Sequence, residues 1–242
     1  MFTLLLLALM VSGIGAWVSR RWRAFGQVLM VAGGLSLTVV AAVQFRQILF
    51  PPQPKADDRG DMAVASTLAN CVLSDLAGQS GTVILLFPSR QLMDASAEES
   101  YEDGFVMPLR HGHGTLHLKA LLLDAKPAKD GYDLAAFQHA LEQAPDALAV
   151  VSYAGVPAGF DNLFPAGQSK APQFYAFDPA GTTNWFGPLK AGQIRVVVLP
   201  RPGMDSRARA AAAGRPEQIF EQFYLLATQQ NADQIAAQIS SK

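Results

Sequence analysis

The chain of 242 residues is half hydrophobic and carries 19 lysines and arginines against 20 aspartates and glutamates. Four arginines and no acid fall in the first fifty residues, so the remainder holds 15 basic and 20 acidic groups, a net of −5 that excludes nucleic acid as an expected partner. A lone cysteine, Cys71, excludes an internal disulfide framework, and its neighbours Leu68, Val72 and Leu73 predict a buried, inert thiol.

Two uncharged apolar runs, Phe2 to Val18 and Ala24 to Val43, flank the loop Arg20, Arg21, Trp22, Arg23. Each approaches the roughly 17 to 25 residues that a spanning helix needs, which predicts a transmembrane hairpin over residues 1–50 in contact with membrane lipid. A cleaved signal peptide places its basic residues before the apolar core, whereas here they follow it, so the first run reads as a retained anchor. Because Lys and Arg stay on the cytoplasmic side, the arginine loop faces the cytoplasm. Everything after Phe50 is then expected outside the inner (plasma) membrane. Pro51, Pro52 and Pro54, with the charged stretch to Gly60, make a stalk over 51–60.

What remains, 61–242, is roughly 185 residues, the size of one domain with a full core. Ala65, Leu68, Ala69, Val72 and Leu76 recur at helical spacing, with Asp61 as N-cap and Gly78 as stop. Thr82 to Phe87 is a continuous apolar run, as a strand buried on both faces must be. Asp94 to Met107 reads as a helix with one acidic face. Thr115 to Asp124 begins by alternating, with Leu116, Leu118 and Ala120 on one face and His117 and Lys119 on the other, which predicts an edge strand. Asp133 to Ala144 is a helix with Leu134, Phe137 and Leu141 inward, and Ala147 to Tyr153 is the next apolar strand. Gln173 to Asp178 and Arg195 to Pro200 supply two more strands. A last amphipathic helix runs from Pro216 to about Thr228, burying Ile219, Phe220, Phe223 and Leu226, and the tail to Lys242 adds a helical turn or two. The alternation predicts an α/β fold, a three-layer, doubly wound and mostly parallel five-stranded sheet.

An apolar strand, then a helix around Ser100, Tyr101, Glu102, Asp103, Gly104 and Phe105, then a second strand resemble the first lobe of type I periplasmic sugar-binding proteins. The likeness continues through LEQAPDALAVVSYAG, PQFYAFD, GPLKAGQIRVVVLPRPG and PEQIFEQFYLLAT, over about Thr82 to Thr228. It implies a flavodoxin-like strand order 2-1-3-4-5, with Thr115–Asp124 beside Thr82–Phe87. One departure is plain: that family clamps its ligand between two lobes, whereas this connection is too short for a second lobe of comparable size.

In such open sheets ligands bind beyond the carboxyl ends of the strands. Those ends hold Ser89 and Arg90, Asp124 and Lys126, Ser152 and Tyr153, Asp178, and Arg201, all able to hydrogen-bond hydroxyls or a carboxylate. Asp178 and Arg201 resemble by position the acid and the polar residue that contact sugar in the family. Loop capping and surface ion pairing are the other reading of these residues. Thr182, Asn184 and Trp185 follow Asp178, and the tryptophan suits either stacking on a sugar ring or packing in the core.

His111, His113 and His117 form H-x-H-x3-H without a nearby acid, and would need Asp94 or Glu102 to hold zinc, so no metal site is expected. Gly78, Gln79, Ser80 and Gly81 precede a strand instead of forming the strand-to-helix elbow of an activated serine. No glycine-rich phosphate loop occurs, so no nucleotide cofactor is expected. The expected function is therefore a membrane-anchored, non-enzymatic binding or interaction domain. It would recognise a small polar, sugar-like ligand, or a partner subunit, at the carboxyl edge of its sheet. The alternative is an anchored hydrolase with an unrecognised site. A single lobe leaves its working edge uncovered, which makes a second copy or an envelope protein a further expected partner. Phe160, Leu163 and Phe164 would supply that contact or a local satellite of the core.

Overall fold

The computed structural model describes residues 59–89, 95–109, 115–125, 131–164, 171–204 and 214–240. The apolar hairpin, most of the stalk, Arg90, Lys126, His111 and His113 lie outside the described residues. No helix among the described residues is long and apolar enough to cross a membrane.

The elements follow in the order α1 (Arg59–Asp75), β1 (Gly81–Phe87), α2 (Ala95–Leu109), β2 (Leu116–Leu122), α3 (Leu134–Leu141), β3 (Ala147–Ser152), β4 (Gln173–Phe177), α4 (Phe186–Lys190), β5 (Ile194–Pro200), α5 (Pro216–Phe223), β6 (Tyr224–Thr228) and α6 (Ala232–Ser240). The sheet has six strands in the order β2-β1-β3-β4-β5-β6. The first five are parallel and β6 runs antiparallel beside β5. The expected 2-1-3-4-5 order is therefore present, with β2 on the edge next to β1.

The sixth strand corrects the expected last helix. After Pro216 the spacing of Ile219 and Phe223 is helical and buries that face, but Tyr224 breaks out to φ −127° and ψ 162°, and the apolar run to Thr228 pairs with β5. Its outer edge is closed by one side chain. The Asn231 carboxamide accepts the Thr228 amide at 2.7 Å and donates to the Leu226 carbonyl at 2.9 Å, occupying groups that another strand would otherwise take.

Two apolar layers sandwich the sheet. Ile84, Leu86, Val150, Val197 and Leu199 pack against α3, α4 and α6 on one face. Val83, Leu85, Phe87, Val151 and Val198 pack against α1, α2 and α5 on the other. Strands β1 and β3 are buried on both faces, as continuous apolar runs require. Helices α1 and α2 pack tightly at Gly104, where a Cβ would meet the Met62 Cα and carbonyl oxygen and the Ala65 Cβ, each at 2.9 Å. Helix α1 already includes Arg59 and Gly60, so Asp61 lies in its first turn instead of capping it. The Asp61 carboxylate accepts the Tyr101 hydroxyl at 2.8 Å. At the other end of α1, Asp75 and Gln173 share the Tyr175 hydroxyl proton, each at 2.7 Å. The helix thus runs antiparallel to the strands, with its first turn at their carboxyl edge. Gly78 ends the following turn at φ +75°. Cys71 is half-buried, and burial pushes its thiol pKa up.

Candidate functional site

Strand order reverses between β1 and β3, since the chain leaves β1 toward β2 on one side and returns to β3 on the other. At such a switch point the loops diverge and leave a crevice at the carboxyl ends. Here the crevice is a cavity of about 250 Å³. Its walls are Pro88 after β1, the Tyr153 to Val156 loop after β3, the Asp178 to Thr182 loop after β4, and Gly131 and Tyr132 before α3. A larger depression of about 380 Å³ is lined by Leu141, Ala147, Leu163 and Pro172, near the starts of β3 and β4 and away from the polar strand ends.

Asp178 is 1 % exposed, and its carboxylate is turned into its own loop. Oδ1 accepts the Ala180 and Gly181 amides, each at 3.1 Å, and Oδ2 accepts the Thr182 hydroxyl at 2.7 Å. Burial raises the carboxyl above its ordinary range, and these hydrogen bonds pull it partly back. Ser152 behaves alike: its hydroxyl donates to the Gly155 carbonyl at 2.7 Å and accepts the Ala154 amide at 3.3 Å. Gly155, at φ +83°, passes over Asp178, where a Cβ would stand 3.6 Å from Oδ1.

Tyr153 belongs to an aromatic cluster beneath the cavity. Its ring stacks on Phe87 with centroids 5.1 Å apart, and the tilted Tyr101 ring lies 4.3 Å away. Burial, and then the Asp61 charge, push both phenols well above the usual tyrosine range. The Tyr153 hydroxyl has no hydrogen-bond partner among the described residues.

The other expected site residues divide. The Ser89 amide donates to the Tyr132 hydroxyl at 3.2 Å, which ties β1 to the cavity wall, while the Ser89 hydroxyl is buried without a partner among the described residues. Asn184 donates to the Val156 carbonyl at 3.4 Å and so holds the β3 loop. Trp185 is buried in the core beside α4, as the packing alternative of its two readings has it. Arg201 is directed elsewhere: its Nε donates at 3.1 Å to the Glu221 carbonyl in the last turn of α5, where a cation is favoured. Asp124 is exposed beyond β2, and neither it nor Arg201 lines the cavity. Phe160 and Leu163 are buried in the core with Phe164 packed against it, so they form the satellite and not an open contact surface. Tyr132 was not among the expected residues, although Gly131 at φ +101° followed by the α3 N-cap Asp133 pins it at the mouth of the β1 and β3 loops.

Among the described residues that line it, none is a lysine, arginine or histidine. Among the described lining residues the hydroxyl–carboxylate contact is Thr182 to Asp178, which closes one turn, and a carboxylate already accepting two amides is poorly placed as a general base. The arrangement can bind; it shows no activated nucleophile among the described residues.

No family model matches the chain, and no curated protein matches it in sequence. Its fold is similar to that of a carbohydrate transporter solute binding protein from Agrobacterium radiobacter in complex with D-arabinose, at 16% identity and a TM-score of 0.50, over 76% of this chain and 63% of that one. An ABC transporter solute binding protein from Burkholderia graminis, also in complex with D-arabinose, aligns at 17% identity and a TM-score of 0.49, over 71% of this chain and 60% of that one. A sugar-binding protein of a sugar ABC transporter from Bacillus halodurans aligns at 14% identity and 0.47, over 72% and 64%. The chain spans less than two thirds of the length of each. At these identities the likeness is one of fold: an α/β domain with a mostly parallel sheet, like that of solute-binding proteins.

Proposed function

We propose that this chain is a non-enzymatic binding module, held by its N-terminal apolar hairpin at the outer face of the plasma membrane, that takes a small polar ligand at the carboxyl edge of its sheet. The observation that carries the reading is the cavity at the point of strand reversal, framed by the ends of β1, β3 and β4. Its volume of about 250 Å³ lies below the roughly 300 to 1,000 Å³ of sites for drug-sized ligands, which favours a molecule of one ring. The open side of the cavity is where a second copy or an envelope partner would close over it.

Thermal unfolding of the full chain with a panel of small polar one-ring molecules, D-arabinose and ring carboxylates included, tests this. A ligand at a hundredfold excess over its Kd stabilises by about 2.7 kcal/mol, which moves the midpoint by several degrees. If no member of the panel shifts the midpoint, the ligand-binding reading is lost.

A further inference from the structure

The two edges of the sheet are finished differently. On β6 the Asn231 carboxamide takes the Thr228 amide and the Leu226 carbonyl, which closes that edge to a further strand. Strand β2 contains no proline, and it pairs with β1 through seven consecutive residues without a bulge. Its one lysine, Lys119, is drawn back to the Gln143 carbonyl at 2.6 Å. The Thr115 carbonyl accepts the Gly81 amide and the Leu123 amide donates to the Phe87 carbonyl, so odd-numbered residues of this strand direct their backbone groups at β1. The amides and carbonyls of Leu116, Leu118, Ala120 and Leu122 therefore face the other way, where β2 has no paired strand among the described residues. The side chains of His117, Lys119 and Ala120 are exposed, and those of Leu118 and Leu122 are half-buried.

A row of outward amides and carbonyls is a template for another extended strand, and every copy of this chain presents the same row. We infer that β2 pairs antiparallel with β2 of a second copy, about a two-fold axis through Ala120, so that two sheets join edge to edge. Charge selects that register. An axis through Lys119 would set the two lysines directly opposite one another, and an axis through Leu118 would set His117 opposite Lys119. About Ala120, Lys119 instead faces Leu121 and His117 faces Leu123. On the face covered by α1 and α2 the same register opposes Leu118 to Leu122 and Ala120 to its own copy. Leucines that each chain buries only in part thus gain an apolar neighbour across the axis. No residue of β2 is among the described residues that line the cavity, so this contact stands apart from the ligand-binding reading.

Disulfide cross-linking of the full chain in isolated membranes tests the pairing. In a Cys71→Ser background, Leu118→Cys, Lys119→Cys and Ala120→Cys are introduced singly, with Gln229→Cys just past the guarded strand β6 as the control. Residue 120 meets its own copy on the axis, so mild oxidation of Ala120→Cys is expected to give at least about fivefold more dimer than any of the other three. Adding Leu122→Pro to the Ala120→Cys chain removes an outward amide and leaves the ladder to β1 untouched. That change should lower the dimer at least about fivefold, and the unfolding midpoint of the same chain reports whether it is folded. Dimer strongest at 118 or 119, or no stronger at 120 than at 229, overturns the inference. Equal dimer with and without the proline in a folded chain overturns it as well, and if the proline chain is unfolded the four-position profile decides alone.

Discussion

At Asp178 two effects oppose one another: burial disfavours the charge, and two amides and a hydroxyl favour it. Burial is the larger, so the folded state holds the carboxyl proton more tightly than the unfolded chain does. Below about pH 3.9, the ordinary aspartate value, both states are protonated and the contribution to stability is full. As pH rises from there through the higher folded pKa, the native state must surrender the proton against burial and stability is lost. Asp178→Asn has no proton to lose, and its carbonyl oxygen can still take both amides. The stability of the wild type minus that of Asp178→Asn should therefore fall as pH rises above about 4, the ordinary aspartate value, read from urea midpoints. A constant or rising difference would contradict the assigned balance. Tyr153 shows the same tension in neutral form, since its ring gains from stacking on Phe87 while its hydroxyl is buried without a bond among the described residues.

Between elements, the contact of α1 with α2 sets propensity against packing. Replacing a helical glycine by alanine at an open site gains about 1 kcal/mol. At Gly104 the new methyl would lie 2.9 Å from the backbone of Met62, which cannot rotate away. Overpacking of this kind costs about 1 to 3 kcal/mol. Gly104→Ala is thus expected to lower stability in chemical denaturation, and a gain would show that the two helices part without cost. Legibility in the sequence follows the same division between local pattern and tertiary contact. Strands β1 and β3 were readable because burial on both faces writes an unbroken apolar run, and β2 because its outer position leaves His117 and Lys119 exposed. β6 was not, because Phe220, Phe223 and Leu226 keep helical spacing through a segment that β5 recruits as a partner. At the candidate site, polar side chains at strand ends were legible as a set, but not their engagement. Whether Asp178 faces a ligand or its own loop depends on the turn Ala180–Thr182, and Arg201 is drawn away by a helix end that β5 brings beside it. Tyr132 carried no signal beyond its place between a glycine and an N-cap.

For the whole molecule, charge and hydropathy divide the chain more sharply than any motif does. All the charge of the first fifty residues is positive and three of its four arginines sit between two uncharged apolar runs, while the remainder is net negative. The proposed topology puts Arg20, Arg21 and Arg23 in the cytoplasm and the α/β domain outside, because short basic loops resist translocation. A protease-sensitive tag placed after Lys242 should then be cut when protease is added to intact spheroplasts, and the chain should stay in the membrane fraction after alkaline carbonate. Substituting the three arginines with glutamine removes the orienting bias while keeping the apolar runs, so part of the tag should become protected. Protection of the wild-type tag until the cells are lysed would place the domain in the cytoplasm. The cavity would then meet cytoplasmic solutes instead of those outside the membrane, and an envelope partner at its open side would have no access.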